Sequence, residues 1–186
     1  MIKEYPERPF ARSWWAEPGK LLAGLYPGDD HEHAEREKLD GLLDCGIRYV
    51  VNLMQADERN YHGQQFKPYA PLLQALAMER GLEAECLRFP IRDMDIPEVR
   101  VMIQILDAID SAHARGTPVY VHCWGGVGRT GTVIGCWFAR HGLGEGDGAL
   151  DRITRMRTEQ QQPVHVMPSP QTDAQRAFVR SWRRGQ

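Results

Sequence analysis

The chain has 186 residues, 42% hydrophobic and 26% charged, which suits one domain with a buried core and argues against disorder. Lys plus Arg number 23 against 25 Asp plus Glu, and a formal net charge of -2 gives no reason to expect nonspecific binding to nucleic acid. The N-terminus has no apolar run of signal-peptide type, and no stretch approaches the roughly 20 apolar residues that span a bilayer, so a cytoplasmic protein without a membrane span is expected.

Residues 1–12, with two prolines and several charges, read as an extended arm ahead of a domain over 13–186. Residues 13–25 (SWWAEPGKLLAGL) predict two short strands around a Pro-Gly turn, with Trp14 and Trp15 either in the core or on a small partner surface. A helix over 31–44 follows, with Leu39, Leu42 and Leu43 on one side and Gly46 placed to stop it. His31 and His33 are spaced for a strand and lack an evident third ligand, so no metal site is expected there. Residues 47–53 (IRYVVNL) predict a buried strand, and 54–70 a long loop of the kind that carries function. A helix over 71–80 with Leu72, Ala75 and Leu76 inward, a strand over 82–89 and a helix over 97–114 on Met102, Ile105, Leu106 and Ile109 come next. A short β-rich run at 117–122 leads through a loop to a helix over 129–141, closed by Gly142. A glycine-rich joint at 142–148 precedes helices near 148–157 and 171–184, the last ending in Arg180, Arg183 and Arg184, where cations suit the helix dipole. Alternating strands and helices predict an α/β fold: a single domain with a central, largely parallel sheet flanked by helices.

The cysteines are Cys45, Cys86, Cys123 and Cys136, without a C-x-x-C pair, so free thiols are expected in a cytosolic protein. Cys123 stands apart, in His122-Cys123-Trp124-Gly125-Gly126-Val127-Gly128-Arg129-Thr130-Gly131 between a predicted strand and a predicted helix. Such a loop aims backbone N–H groups and the positive end of the helix at one point, an anion site. Gly125, Gly126 and Gly128 let Trp124 to Gly128 curl around a phosphate, and Arg129 can hold two of its oxygens with a planar fork. The field that attracts phosphate also stabilises a thiolate: helix N-termini with cationic neighbours lower a cysteine pKa from about 8.5 to roughly 3.5–7.5. Cys123 is therefore the candidate nucleophile, and Thr130 offers a hydroxyl to its sulfur.

H-C-x5-R-T with internal glycines resembles the signature of the protein-tyrosine and dual-specificity phosphatase superfamily, and the loop is similar to that of the cyclin-dependent-kinase-associated phosphatases. LLAGLYPG and IRYVVNL also look like the opening strands of dual-specificity phosphatases. The resemblance implies a dual-specificity-phosphatase-like fold, hydrolysis through a phosphocysteine, and no metal or organic cofactor.

Such chemistry needs an acid for the departing oxygen. Phe89-Pro90-Ile91-Arg92-Asp93-Met94-Asp95-Ile96-Pro97 offers two aspartates. Asp95 with Glu98 reads as a capping box for the next helix, whereas the family's P-I-x-D-x-x-x-P pattern maps the acid onto Asp93. Gln171-Thr172-Asp173-Ala174-Gln175 resembles the Q-T-x-x-Q segment of the tyrosine-specific branch, which implies that Gln171 positions the attacking water; helix capping is the competing reading. His122 is expected to fix the loop by a hydrogen bond, and Arg92 to be solvated or to attract anionic substrate. Cys45 and Cys86 suit packing, although relatives protect their nucleophile through a disulfide; Cys136 reads as core.

Trp124 is bulky beside the nucleophile, and the loop has no lysine, unlike many phosphoinositide phosphatases. Three functions are carried forward: a protein-tyrosine or dual-specificity phosphatase acting on a phosphorylated protein, a phosphatase of inositol phosphates or other small phosphomonoesters, and a non-catalytic phosphate-binding module.

Overall fold

The computed structural model describes residues 5–161 and 167–186. One sheet contains β1 (Ser13–Glu17), β2 (Leu21–Gly24), β3 (Tyr49–Asn52), β4 (Glu85–Arg88) and β5 (Val119–His122), in the spatial order β1-β2-β5-β3-β4. β1 runs antiparallel to β2, and every other pairing is parallel. The helices are α1 (Glu32–Asp44), α2 (Ala70–Glu79), α3 (Val99–Ala114), α4 (Gly128–Arg140), α5 (Asp147–Gln160) and α6 (Asp173–Ser181).

The period-2 side-chain alternation of strands divides the interior in two. Leu22, Val50 and Tyr120 enter a layer with Leu39 and Leu42 of α1 and Leu73 and Leu76 of α2. Leu21, Val51, Val119 and Val121 enter a second layer with Leu106 of α3, Phe138 of α4, Ile153 of α5 and Val179 of α6. A parallel sheet covered on both faces needs apolar residues at consecutive positions, which is why VYV and YVV read as unbroken runs. Trp14 and Trp15 enter opposite layers, so both belong to the core. On the open edge of β1, the Gln160 amide accepts from Trp15 N at 2.7 Å and donates to Trp15 O at 2.9 Å, satisfying backbone groups that would otherwise be exposed for pairing.

The differences from the sequence reading are local. The inward stripe of α2 is Leu73, Leu76 and Ala77 rather than Leu72, Ala75 and Leu76. The strands are shorter than their apolar runs: Ile47 N bonds Leu42 O at the end of α1, so Ile47 is buried without being strand. His31 and His33 stand at the N-cap and in the first turn of α1, within the helix expected over 31–44. α6 stops at Ser181, and Arg183 turns back to donate to Arg180 O at 2.8 Å. Of the N-terminal segment, Tyr5 Oη donates to Glu159 at 2.6 Å, and Pro6 O accepts from Trp15 Nε1 at 3.1 Å.

Register fixes where the loops emerge. Gly24 pairs with His122, His122 with Asn52, and Asn52 with Arg88, so the carboxyl ends of four parallel strands are level. The loops after β3, β4 and β5 leave the sheet side by side, where open α/β sheets place their ligands.

Candidate active site

The chain leaves β5 at Cys123 and curls back to start α4 at Gly128. Gly126 takes φ 70°, and a Cβ there would stand 2.5 Å from the carbonyl carbon of Gly24, so the loop passes β2 at a distance only glycine allows. Three loop carbonyls are tied outward: Trp124 O accepts from Tyr26 N at 2.9 Å, Gly125 O from Arg12 Nη2 at 2.9 Å, and Val127 O from Ser169 Oγ at 2.7 Å. Across a planar trans peptide the N–H points opposite to the C=O, so the amides of Gly125, Gly126 and Gly128 turn to the loop's inner side. Cys123 is buried, and Thr130 Oγ1 donates to its Sγ at 3.1 Å.

Arg129 is 1% exposed and collects the three loops. Its Nη1 and Nη2 bond the two oxygens of Glu58 at 2.7 Å each, Nη1 also donates to Ile91 O at 3.0 Å, and Nη2 pairs with Asp93 Oδ1 at 2.9 Å. Burial works against the charge, but the Glu58 hydrogen bonds and the charges of Cys123, Glu58 and Asp93 outweigh it and hold the pKa above its ordinary value. The buried Nε has no acceptor among the described residues, which leaves one fixed donor for an anion.

Glu58 was not singled out by the sequence. Its one local signal is its place in the long loop after β3; the side chain that gives it meaning lies 71 positions later. Asn52 Oδ1 accepts from Met54 N at 2.9 Å and turns the chain out of β3, and Gln55 N donates to Glu58 at 3.2 Å. On the other side, Ile91 N bonds Leu53 O at 3.0 Å, extending the ladder so that Asp93 arrives beside the guanidinium.

His122 is fully buried between Cys123 O, 3.2 Å from Nδ1, and Tyr69 Oη, 2.5 Å from Nε2. Burial drives its pKa down to about 3, so the ring is neutral and suited to one donated and one accepted bond. Tyr69 Oη also lies 3.3 Å from Cys86 Sγ, so Tyr69 links β4 to the phosphate loop.

The Asp95–Glu98 capping box does not form. Glu98 is the N-cap of α3 without a side-chain cap bond, and Asp95 Oδ1 accepts from Ile96 N at 2.9 Å. A capping box forms instead at α6, between Thr172 and Gln175. Gln175 Oε1 also accepts from Gln171 N at 3.1 Å, and its Nε2 donates to Asp95 O at 3.1 Å, which ties α6 to the loop bearing Asp93. Gln171 is half-buried with its Cβ against Gly128, at the edge of the phosphate loop. Arg92 is exposed.

All four cysteines are free thiols. β3 separates β4 from β5, so Cys86 is two strand spacings, about 9.6 Å, from the β5 line, beyond the roughly 7 Å Cα limit for a disulfide with Cys123. Cys45 bonds Glu7 O at 3.4 Å, and Cys136 is core.

Residues 28–143, more than half of the chain, match the family described as "polymorphic toxin system, DSP-PTPase phosphatase". Tyrosine-protein phosphatase cdc-14 of Caenorhabditis elegans is 26% identical over 141 residues, covering 72% of this chain and 17% of that protein. The chain spans less than half the length of the curated relatives it matches. Among solved structures, kinase associated phosphatase superposes with a TM-score of 0.67 at 16% identity, over 94% of this chain and 93% of that one. PTPMT1 in complex with PI(5)P gives 0.59 at 18% identity, over 90% and 93%. At these identities the likeness is one of fold, and it is the dual-specificity-phosphatase fold that the sequence implies.

Proposed function

This chain belongs to the DSP-PTPase phosphatase family of polymorphic toxin systems, and from that premise we propose that it hydrolyses phosphomonoesters through a phosphocysteine. The substrate's phosphate sits on the inner amides of Trp124 to Gly128 and on Arg129. It takes Nη2 from Asp93, and that carboxylate, released from its ion pair, takes up from solvent the proton it then gives to the departing oxygen. Cys123 Sγ attacks phosphorus as the thiolate; the S–P bond forms, the ester P–O bond breaks, and Asp93 gives the leaving oxygen its proton. Water positioned by Gln171 then attacks phosphorus, Asp93 takes its proton, and the S–P bond breaks to release inorganic phosphate and the thiolate, steadied by Thr130. Neutral His122 takes no proton and holds the Cys123 carbonyl.

The observation that carries this reading is the single guanidinium of Arg129, beside the Cys123 loop, that binds Glu58 from one loop and Asp93 from another. The substrate we propose is a phosphorylated protein, with phosphotyrosine or phosphoserine and phosphothreonine as its forms, and the compartment we propose is a reducing cytoplasm, which the four free thiols suit. The test is release of para-nitrophenol from its phosphate ester with EDTA present. Cys123→Ser should abolish turnover, Asp93→Asn should lower kcat by about 100-fold or more, and Asp95→Asn should stay within a few-fold of wild type. A folded, reduced wild type without turnover would sink the enzymatic reading and favour a phosphate-binding module.

A further inference from the structure

A cavity of about 350 Å³ lies where β3 and β4 end against the segment 54–70. That volume is at the small end of the range that holds organic ligands, about 300–1,000 Å³. No residue of the Cys123 loop lines it. One wall is aromatic: Tyr26 meets Phe66 at 4.9 Å and Tyr69 at 5.7 Å between ring centroids, both edge-on. Two other residues bring hydrogen-bond donors. Asn52 is 4% exposed, and its Oδ1 is taken by Met54 N. Its Nδ2 has no acceptor among the described residues and is not one of the unpartnered nitrogens sealed in protein, so it opens on the cavity that Asn52 lines. A buried amide donor normally has a partner, so this one points to an acceptor inside the cavity. Arg88 Nη1 donates to Met54 O at 2.7 Å, which fixes the guanidinium at the same wall. Among the described residues no carboxylate pairs with Arg88, and its Nε and Nη2 are left to donate.

Charge points the same way. Arg88 and Lys67 line the cavity, and no carboxylate does. Burial, and after it Glu35, Asp30 and Asp29, push the Tyr26 hydroxyl up, so three carboxylates stand beyond that ring. Lys38 pairs with Asp29 at 2.8 Å, and Lys67 Nζ donates to Asp30 O at 3.3 Å. Counted with Lys38, Lys67 and Arg88, the surroundings are neutral, and Arg88 is the cation without a partner. We propose that this cavity is a second ligand site, separate from the phosphate loop, for a small flat aromatic carboxylate. The ring lies on Tyr26, Phe66 and Tyr69, and the carboxylate accepts from Asn52 Nδ2 and from the fork of Arg88. One unpaired cation matches the single charge of a carboxylate, whereas a phosphate dianion would bring a second charge with no partner. The occupant touches Tyr69, whose Oη bonds His122 behind the Cys123 loop, but its binding does not depend on turnover there.

Cys86 reports occupancy. It lines the cavity as a free thiol, with Sγ 3.3 Å from Tyr69 Oη. The experiment alkylates the full chain with N-ethylmaleimide and follows Cys86 and Cys123 separately by peptide mass spectrometry. The probes are 2-naphthoate and its neutral match, 2-naphthamide. Naphthoate should slow alkylation of Cys86 at concentrations about tenfold below those naphthamide needs, as one hydrogen bond to a charged group predicts. Arg88→Gln, an exposed change whose folding a thermal melt verifies, should bring the two probes within about threefold and leave naphthamide within about twofold of its wild-type value. Saturating inorganic phosphate should protect Cys123 and leave the protection of Cys86 by naphthoate intact. Protection of Cys86 that phosphate abolishes would put the probe in the phosphate loop and overturn the proposal. Equal protection by the two probes would overturn it too, as would none by either, the result of a cavity that holds only water.

Discussion

His122 is enclosed completely, with a pKa depressed from 6.5 to about 3 by burial. The unfolded chain takes up a proton below about 6.5 that the folded ring refuses. Its contribution to stability is therefore complete above that pH and is lost as pH falls toward 3. Between pH 7 and pH 5 this amounts to about 2 kcal/mol, and urea denaturation at the two pH values should show that much less loss in His122→Gln than in wild type. Arg129 makes the opposite demand: a buried cation needs its partners. Glu58→Ala removes two of its hydrogen bonds and should cost about 3 kcal/mol, the low end for a broken buried pair because Asp93 and Ile91 O remain. It should also lower kcat/KM about 100-fold, since the guanidinium fork loses its fixed orientation; an unchanged kcat/KM would show that Asp93 and Ile91 suffice. Cys123, Arg129 and Thr130 were legible in the sequence because eight consecutive positions, from the end of β5 into the first turn of α4, contain them. Glu58 and Tyr69 were not, because each acts through a partner more than 50 positions away, and no local pattern encodes that distance.

At the scale of elements, α6 does two things through one residue. Gln175 completes the capping box with Thr172 and also holds Asp95 O in the acid loop. The two roles separate by substitution. Thr172→Ala should cost about 1 kcal/mol of stability and leave kcat/KM near wild type, whereas Gln175→Ala should cost as much and also lower kcat/KM by about threefold or more, because the loop bearing Asp93 loses its tether. Equal kinetics for both variants would mean that the tether has no bearing on catalysis. D-x-x-E before an apolar helix is the usual capping-box pattern, and Asp95–Glu98 fits it in sequence. Pro97 is buried just before the N-cap, and Asp95 instead bonds the next amide. The helices themselves were legible to within a few residues, since their apolar stripes and stopping glycines are local. Strand ends were less so, because Ile47 and Leu53 are buried whether or not they join the ladder.

The whole molecule consists of two apolar layers that share one sheet, and the functional loops hang from the sheet rather than from either layer. Leu42 lies in the layer beneath α1 and α2, Leu106 in the layer beneath α3 to α6, and both are fully buried. Yet Val50 and Val51, adjacent in β3, each face one of the two layers, so neither layer can open without disturbing the strand that supports the other. A cavity in either should therefore weaken one cooperative unit. Leu42→Ala and Leu106→Ala should each cost about 2–5 kcal/mol and, in urea, each give a single transition with an unchanged slope. Two transitions, or a reduced slope for Leu42→Ala alone, would show that α1 and α2 can detach as a separate unit. Leu42 shares its layer with Tyr120, whose ring stacks on His122 at 5.6 Å between centroids. Near the opposite end of the sheet, Arg115 lies over the Tyr49 ring at 5.8 Å. Arg115→Ala should leave kcat/KM within twofold of wild type, because the loops after β3, β4 and β5 all leave from the other end of the strands.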